Sequence, residues 1–204
     1  YDLTEDTKST DAKPGELLFS SLTIGGETRR FYRYRTPDSV VEFYDETGSN
    51  ARRFLVKKPV RGGDEVRFTS GFGMRMHPLF HQQRMHTGID WAAPMGTPIL
   101  ASGTGFIEQI GRKGGNGNYI RIRHANGYQT AYSHMSRFAQ GLHVGSKVTQ
   151  GQIIGYIGST GWSSGPHLHF EVLVNNSYVN PMTIQVPRER QLQGKQLLDF
   201  QRER

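Results

Sequence analysis

Hydrophobic and polar residues alternate over short runs along most of this chain, and turns rich in glycine or asparagine separate the runs. The clearest case is residues 119–124 and 128–134, which flank Asn126-Gly127. This dipeptide between alternating runs favours a β-hairpin, because both residues tolerate positive φ. Further strands are predicted at residues 98–101, 105–110, 147–149, 153–157 and 167–174. Helical periodicity is absent from this region, so we predict an all-β, antiparallel domain over residues 67–186.

Shorter elements flank the predicted domain. Strand-like runs at residues 17–24, 30–36, 40–44 and 54–56 predict a small β appendage over residues 16–66. Residues 1–15 are polar and are predicted to be a linker or a disordered start. Residues 187–204 form a polar tail that includes a candidate helix with apolar positions at Leu192, Leu197, Leu198 and Phe200.

Composition and charge narrow the class of protein. The sequence has 25 glycines and no cysteine, which favours a loop-rich β protein and excludes disulfides and thiolate metal sites. No apolar run approaches the roughly 18–20 residues that span a membrane. Because the chain opens on Tyr1 rather than Met, we expect a mature or truncated fragment, with a membrane anchor or an upstream domain outside it.

The net charge of +7 is concentrated in residues 67–186, which have nine basic and three acidic residues. A basic domain indicates an anionic partner, such as nucleic acid, an acidic membrane surface or an anionic cell-wall polymer. No nucleic-acid-binding motif accompanies the charge, so we predict no nucleic-acid partner. Solubility alone is the alternative explanation of the charge.

All eight histidines lie between positions 77 and 169, a window in which Asp90 and Glu108 are the only acidic residues. Imidazoles clustered near a lone aspartate are typical of a site for zinc or a similar metal. His167 and His169 would share one face of a strand, about 6.6 Å apart, and either could bind the metal. The alternative is a polar strand face exposed to water, and Glu171 would lie on that face.

The segment His86-Thr-Gly-Ile-Asp90 supplies a second pair of candidate ligands. A straight strand would hold these two side chains about 13 Å apart, too far for one ion, so the chain must bend, and Gly88 permits the bend. An ordinary turn with a capping aspartate is the alternative. His134 ends the run in which Tyr128, Thr130, Tyr132 and His134 would share one face, and a purely structural histidine is the alternative there.

Taken together, these segments resemble the lysostaphin/LytM-type zinc metallopeptidases over residues 69–182. The motifs that carry the resemblance are Thr69-Ser-Gly-Phe-Gly-Met-Arg75, His86-Thr-Gly-Ile-Asp90, Tyr132-Ser-His134 and Gly165-Pro-His-Leu-His-Phe-Glu171. The resemblance implies one zinc ion held by His86, Asp90 and His169, with His134 and His167 as catalytic histidines.

Further implications concern the substrate. Members of the family cut peptide cross-links of bacterial peptidoglycan, either D-Ala–diaminopimelate bonds or glycine bridges, and the layout here favours the first type. Peptidoglycan stem peptides would be the partners, in the periplasm or at the cell envelope. Arg75, His77 and Tyr132 are candidate substrate contacts; a polar loop is the alternative for His77 and His81. A cell-wall-binding regulator of another hydrolase, or an enzyme masked by its own residues 1–60, are the alternative functions.

Overall fold

The computed structural model describes residues 15–24, 26–76, 82–188 and 190–204. The chain divides into two compact units: one holds the described residues up to Arg53 together with Pro187–Arg204, and the other is Phe54–Val186. Residues 54–66, which the sequence pattern groups with the N-terminal strands, therefore belong to the larger unit. The C-terminal tail belongs to the smaller one. No helix in the described residues has the length and apolar character needed to cross a membrane.

The smaller unit is a three-stranded antiparallel sheet with one helix. Its strands are β1 (Phe19–Ile24), β2 (Glu27–Arg35) and β3 (Val41–Tyr44), and its helix is α1 (Gly194–Glu203). The ring of Phe200 lies 5.3 Å from that of Tyr34 and 6.0 Å from that of Tyr44, and all three side chains are buried. Burial of these aromatic rings packs α1 on the sheet, and the helix predicted in the tail is confirmed.

The larger unit is built almost entirely from strands. They are β4 (Arg67–Ser70), β5 (Gly73–Met76), β6 (Gln83–His86), β7 (Ile89–Ala92), β8 (Pro98–Leu100), β9 (Gly105–Arg112), β10 (Asn118–Arg123), β11 (Tyr128–Met135), β12 (Arg137–Phe138), β13 (Lys147–Val148), β14 (Ile153–Tyr156), β15 (His167–Val174) and β16 (Ser177–Val179). The main sheet has the order β13-β9-β10-β11-β15-β7-β4, with β16 beside β15. A second sheet has the order β12-β14-β8, and β5 and β6 form a separate hairpin. The described strand pairs are antiparallel, so the predicted fold class is confirmed.

In the larger unit, the main sheet and the β12-β14-β8 sheet share one hydrophobic core. Leu168 and Phe170 of β15 and Ile99 and Ile154 of the second sheet are fully buried in the same cluster. Leu55 belongs to this cluster. Residues 54–56, for which the sequence pattern predicts a strand, do not form one. The buried face of β15 fixes the register of the strand, because a slip by one residue would move its histidines to the core side.

Candidate metal centre

Neighbouring strands bring the three predicted metal ligands together. Asp90 on β7 pairs in register with His169 on β15, and His86 is the last residue of β6. Between β6 and β7 the chain bends at Gly88, where a Cβ atom would lie 2.4 Å from the carbonyl oxygen of Phe170. Only glycine leaves room for this close approach, so packing against β15 requires glycine at the predicted bend.

The three side chains direct their ligand atoms at one another. Nε2 of His86 lies 3.1 Å from Oδ1 of Asp90 and 2.9 Å from Nδ1 of His169. The distance between Oδ1 of Asp90 and Nδ1 of His169 is also 2.9 Å. Tetrahedral zinc with bonds of about 2.0–2.1 Å places its ligand atoms roughly 3.3 Å apart, close to this spacing. The set therefore fits zinc, and three protein ligands leave a fourth position for water or substrate. Among the described residues no other such group is found.

Hydrogen bonds on the far side of each imidazole fix which nitrogen faces the centre. Nδ1 of His86 donates to the carbonyl of Gly71 at 2.6 Å, so its Nε2 presents a lone pair. Nε2 of His169 donates to the carboxylate of Glu171 at 3.2 Å, and Thr87 Oγ1 donates to the same oxygen at 2.6 Å. A carboxylate–histidine pair of this kind orients a metal ligand and raises its basicity.

The charge distribution of the centre favours a cation. Burial raises the pKa of Asp90, but the adjacent imidazoles of His169 and His86 outweigh burial and lower this pKa far below its ordinary value. Burial lowers the pKa of His169, but its hydrogen bonds to Asp90 and Glu171 prevail and raise it to about 9. Two buried carboxylates thus bracket this imidazole and stabilise positive charge here, whether a proton or a metal ion.

A β-bulge turns His134 towards this centre. The pairing of β10 with β11 shifts register between Asn118 and Ile120, and His134 has a positive φ of 64°. The sequence-based expectation that His134 shares the face of Tyr132 is therefore wrong, because the bulge interrupts the alternation of side chains. The His134 ring lies 4.7 Å from the ring of His167 and 6.1 Å from that of His169.

His134 is held in a form that can accept a proton. Its Nδ1 donates to the carbonyl of Thr160 at 2.7 Å, which leaves the lone pair on Nε2. Burial lowers the pKa of His134 to about 4, and the bond to Thr160 offsets only part of this effect. The hydroxyl of Thr160 accepts from the backbone N–H of Asn118 at 2.9 Å and donates to the carbonyl of Met135 at 2.8 Å. Thr160 therefore anchors the imidazole to the bulged strand.

His167 lies beside the ligand group rather than in it. Its Nδ1 donates to the carbonyl of Gly165 at 2.8 Å, and its Nε2 is 4.0 Å from Oδ1 of Asp90. His167 is half-buried, whereas His169 is buried. The geometry thus distinguishes the two histidines, which their spacing in the sequence did not.

Comparison with known proteins agrees with this geometry. Peptidase family M23 matches residues 84–181. The catalytic domain of the antimicrobial peptidase lysostaphin from Staphylococcus simulans is 35% identical, with a TM-score of 0.52, over 57% of this chain and 90% of that one. The chain belongs to peptidase family M23.

Two further relatives of this M23 protein have informative names. The peptidoglycan DD-endopeptidase ShyC of Vibrio cholerae is 41% identical over 159 residues, which is 78% of this chain and 36% of ShyC. A zinc-containing peptidase from Vibrio cholerae is 33% identical, with a TM-score of 0.60, over 84% of this chain and 51% of that one. The chain thus spans about a third to a half of the length of these two relatives.

A cleft of about 780 Å³ leads to the metal centre of the M23 domain. It is lined by the three metal-ligand candidates and by His134, His167, Arg75, Arg84, Lys113, Asn116, Trp162 and Ser164, among others. A volume of this size is typical of ligand-binding sites in proteins.

Of the residues predicted to contact substrate, Arg75 lies in the cleft and Tyr132 lies in the core. Arg75 lines the cleft, and its guanidinium donates to Oδ2 of Asp90 at 3.1 Å. Tyr132 is fully buried, with its hydroxyl 2.8 Å from the backbone nitrogen of Ser102, which donates to it. The expectation that Tyr132 contacts substrate is therefore wrong, since its side chain belongs to the core. His77 and His81 lie outside the described residues.

Other functional contacts have weaker signals in the sequence, or none. Glu171, which the strand pattern places on the same face as His167 and His169, is buried and bonded to His169. The roles of Thr160 and Gly71 were missed, because a backbone carbonyl that accepts from an imidazole leaves no mark on residue type. The one signal in the sequence was the histidines themselves, because the second ring nitrogen of a metal-binding or catalytic histidine needs a hydrogen-bond acceptor.

Proposed function

We propose that this chain is a zinc-dependent endopeptidase that hydrolyses peptide cross-links of peptidoglycan, at D-Ala–diaminopimelate bonds. The observation that carries the proposal is one cleft in which His86, Asp90 and His169 converge while His134 and His167 lie beside them. The name of the relative ShyC and the basic charge of residues 67–186 support the substrate. The place of action is then the periplasm or the cell envelope.

His86 Nε2, Asp90 Oδ1 and His169 Nδ1 would hold the metal ion. When bound, zinc supplies a Lewis acid that polarises the scissile carbonyl and makes water a stronger nucleophile. The other steps fall to the histidines beside the ligands. Neutral His134 accepts the proton of the attacking water on Nε2, because Thr160 holds its Nδ1–H and burial keeps its pKa low.

His167 has the complementary role. The carbonyl of Gly165 orients its ring, and its Nε2 lies on the cleft side of Asp90. From this position its Nε2 accepts a hydrogen bond from the attacking water and orients that water towards the scissile carbonyl. Arg75 keeps Asp90 in place and leaves Oδ1 of that carboxylate for the metal.

The alternative functions have less support. A regulator that only binds cell wall would not need two catalytic histidines in addition to a complete ligand set, and all five side chains lie together here. Masking of the cleft by residues 1–60 stays a prediction, which a comparison of activity with and without those residues would test.

The decisive experiment is digestion of purified cross-linked muropeptide dimers, followed by mass spectrometry of the products. The chain is stripped with a chelator and assayed before and after zinc is restored. We expect zinc-dependent conversion of dimers to monomers, which His169→Ala abolishes.

His143→Ala is the matched control, because His143 is exposed and its Nδ1 bonds only a local carbonyl, that of Gly141, at 3.2 Å. We expect this variant to retain full activity. Intact dimers after incubation with the zinc-loaded wild type would refute the proposed function.

A further inference from the structure

One loop holds both histidines that lie beside the metal-ligand group. This support loop is residues 160–165, between β14 and β15. At one end, the carbonyl of Thr160 accepts from Nδ1 of His134 at 2.7 Å. At the other end, the carbonyl of Gly165 accepts from Nδ1 of His167 at 2.8 Å. Each bond keeps the proton on Nδ1 and a lone pair on Nε2, so the acceptor nitrogen of both rings depends on where these two carbonyls lie.

Hydroxyl groups fix the two ends of the support loop. Ser163 Oγ donates to the carbonyl of Gly165 at 2.7 Å and accepts from Ser159 Oγ at 2.9 Å. The same Ser163 hydroxyl lies 3.2 Å from Nδ1 of His167. The hydroxyl of Thr160 anchors the opposite end through its two bonds to the bulged strands. The middle of the loop is held by a contact of another kind.

A tryptophan clamps the middle of the support loop to the turn at residues 114–117. The backbone N–H of Trp162 donates to the carbonyl of Gly115 at 2.8 Å. The indole lies against the same glycine, because a Cβ atom on Gly115 would be 2.6 Å from Cε3 and 2.8 Å from Cδ2 of the ring. A Cβ atom on Gly161 would likewise overlap the carbonyl oxygen of Gly115. Two segments far apart in the chain thus meet in close contact at the wall of the cleft.

The exposure of this tryptophan separates its local role from core packing. Trp162 is 56% exposed and lines the cleft. A ring that keeps more than half of its surface in water contributes less burial energy than a core residue, so its removal should leave the fold intact. The contact instead restricts an irregular segment that orients two side chains. A displacement of about 1 Å at such a segment can lower a rate about a hundredfold.

We propose that Trp162 is a positioning residue for His134 and His167. By packing against Gly115, its indole restricts the support loop, and the two loop carbonyls then keep both imidazoles in the Nδ1–H form with Nε2 available to water. This inference rests on the proposed function, in which both histidines serve the attacking water, and deepens it. Trp162 acts through the loop backbone and takes no part in the reaction itself.

Removal of the clamp from either side tests the proposal. On cross-linked muropeptide dimers, we expect Trp162→Ala in the zinc-loaded chain to lower kcat about ten- to a hundredfold, with KM and bound zinc nearly unchanged. Trp162→Phe should retain most of kcat, because it keeps an aromatic ring against Gly115. Gly115→Ala should match Trp162→Ala, since it pushes a methyl group into the indole at a position without positive φ.

The double variant with alanine at both positions should be no slower than the slower single variant, because both substitutions remove the same contact. Fully additive losses would overturn the proposal. A higher KM with unchanged kcat in Trp162→Ala would also overturn it, because that result makes Trp162 a substrate contact.

Nuclear magnetic resonance of isotope-labelled histidine side chains gives a readout that does not need turnover. In the zinc-loaded wild type, we expect slowly exchanging Nδ1–H protons on His134, His167 and His86. The last of these is an internal reference, because its acceptor is the carbonyl of Gly71, outside the support loop. Trp162→Ala should accelerate exchange at His134 and His167 and leave His86 unchanged. Equal acceleration at all three histidines, or at none, would overturn the positioning role.

Phe106→Ala is the matched control, since Phe106 is an aromatic residue of similar exposure, 46%, that lies on β9 and is not among the cleft residues. We expect this variant to keep wild-type kcat and wild-type exchange at all three histidines. If the wild type cleaves no dimers, the proposed function fails, and the exchange measurement still decides whether Trp162 positions the two histidines.

Discussion

Glu171 offers a direct test of how the buried carboxylate supports metal binding. It is 4% exposed, accepts from Nε2 of His169 at 3.2 Å and from Thr87 at 2.6 Å, and makes no contribution to the ligand set itself. Glu171→Gln keeps the shape and one acceptor but removes the charge. We expect the dissociation constant for zinc to rise, because the His169 imidazole becomes a weaker donor and less firmly oriented.

The size of this loss of zinc affinity follows from two independent estimates. A hydrogen bond to a charged group contributes about 1.5–3 kcal/mol. Loss of an outer partner of a metal ligand weakens affinity roughly 10–100-fold, which corresponds to about 1.4–2.7 kcal/mol. The same carboxylate also raises the pKa of His169, so Glu171→Gln lessens competition from protons and offsets part of the loss near neutral pH. Above a pH of about 9 this offset disappears and the full effect is expected.

Competition of the metal-free chain with a fluorescent zinc chelator measures the dissociation constant for zinc, once near neutral pH and once above a pH of about 9. Circular dichroism and thermal unfolding verify that the variants are folded. Glu108→Gln is the control, because the Glu108 carboxylate contacts Gln129 at 3.2 Å and Arg121 at 4.0 Å, away from the cleft. The reasoning would be refuted by a folded Glu171→Gln protein with wild-type zinc affinity at high pH, or by an equal loss in Glu108→Gln.

Substitutions at three further positions test the geometry of the site and of the core beneath it. Gly88→Ala places a Cβ atom 2.9 Å from Cε1 of His169, so it should lower both the melting temperature and bound zinc; a stable variant with full zinc content would contradict this. Thr160→Val should lower kcat several-fold with KM and zinc content unchanged, and Thr160→Ser should restore kcat, because the hydroxyl bonds to Asn118 and Met135 hold in place the residue whose carbonyl accepts from His134. Unchanged kcat in the valine variant would count against this role. Tyr132→Phe should destabilise the fold by about 1–3 kcal/mol in denaturant unfolding without changing kcat, since a buried N–H loses its acceptor. Selective loss of activity would instead return Tyr132 to the substrate site.

The sequence predicted the strands through local patterns. Alternation around Asn126-Gly127 located β10 and β11, because register and turn chemistry act between neighbours in the chain. The alternation that puts His167 and His169 on one face of β15 also holds in the structure, since Leu168 and Phe170 lie in the hydrophobic core. Residues 54–56 were misassigned as a strand because a short apolar run looks the same whether it pairs with a neighbour or packs irregularly into a core, as Leu55 does.

The identities of the ligand candidates were also present in the sequence, through motifs whose order and spacing are specific. Tertiary structure decided what those residues do. Whether His167 or His169 joins Asp90 depends on the pairing of β15 with β7, a contact between segments far apart in the chain. A bulge redirects His134, burial removes Tyr132 from the cleft, and Glu171 becomes a partner of His169 only because β15 is covered on both faces. Residue type and local period thus determined which chemistry is available, whereas non-local pairing and burial determined which side chains share one site.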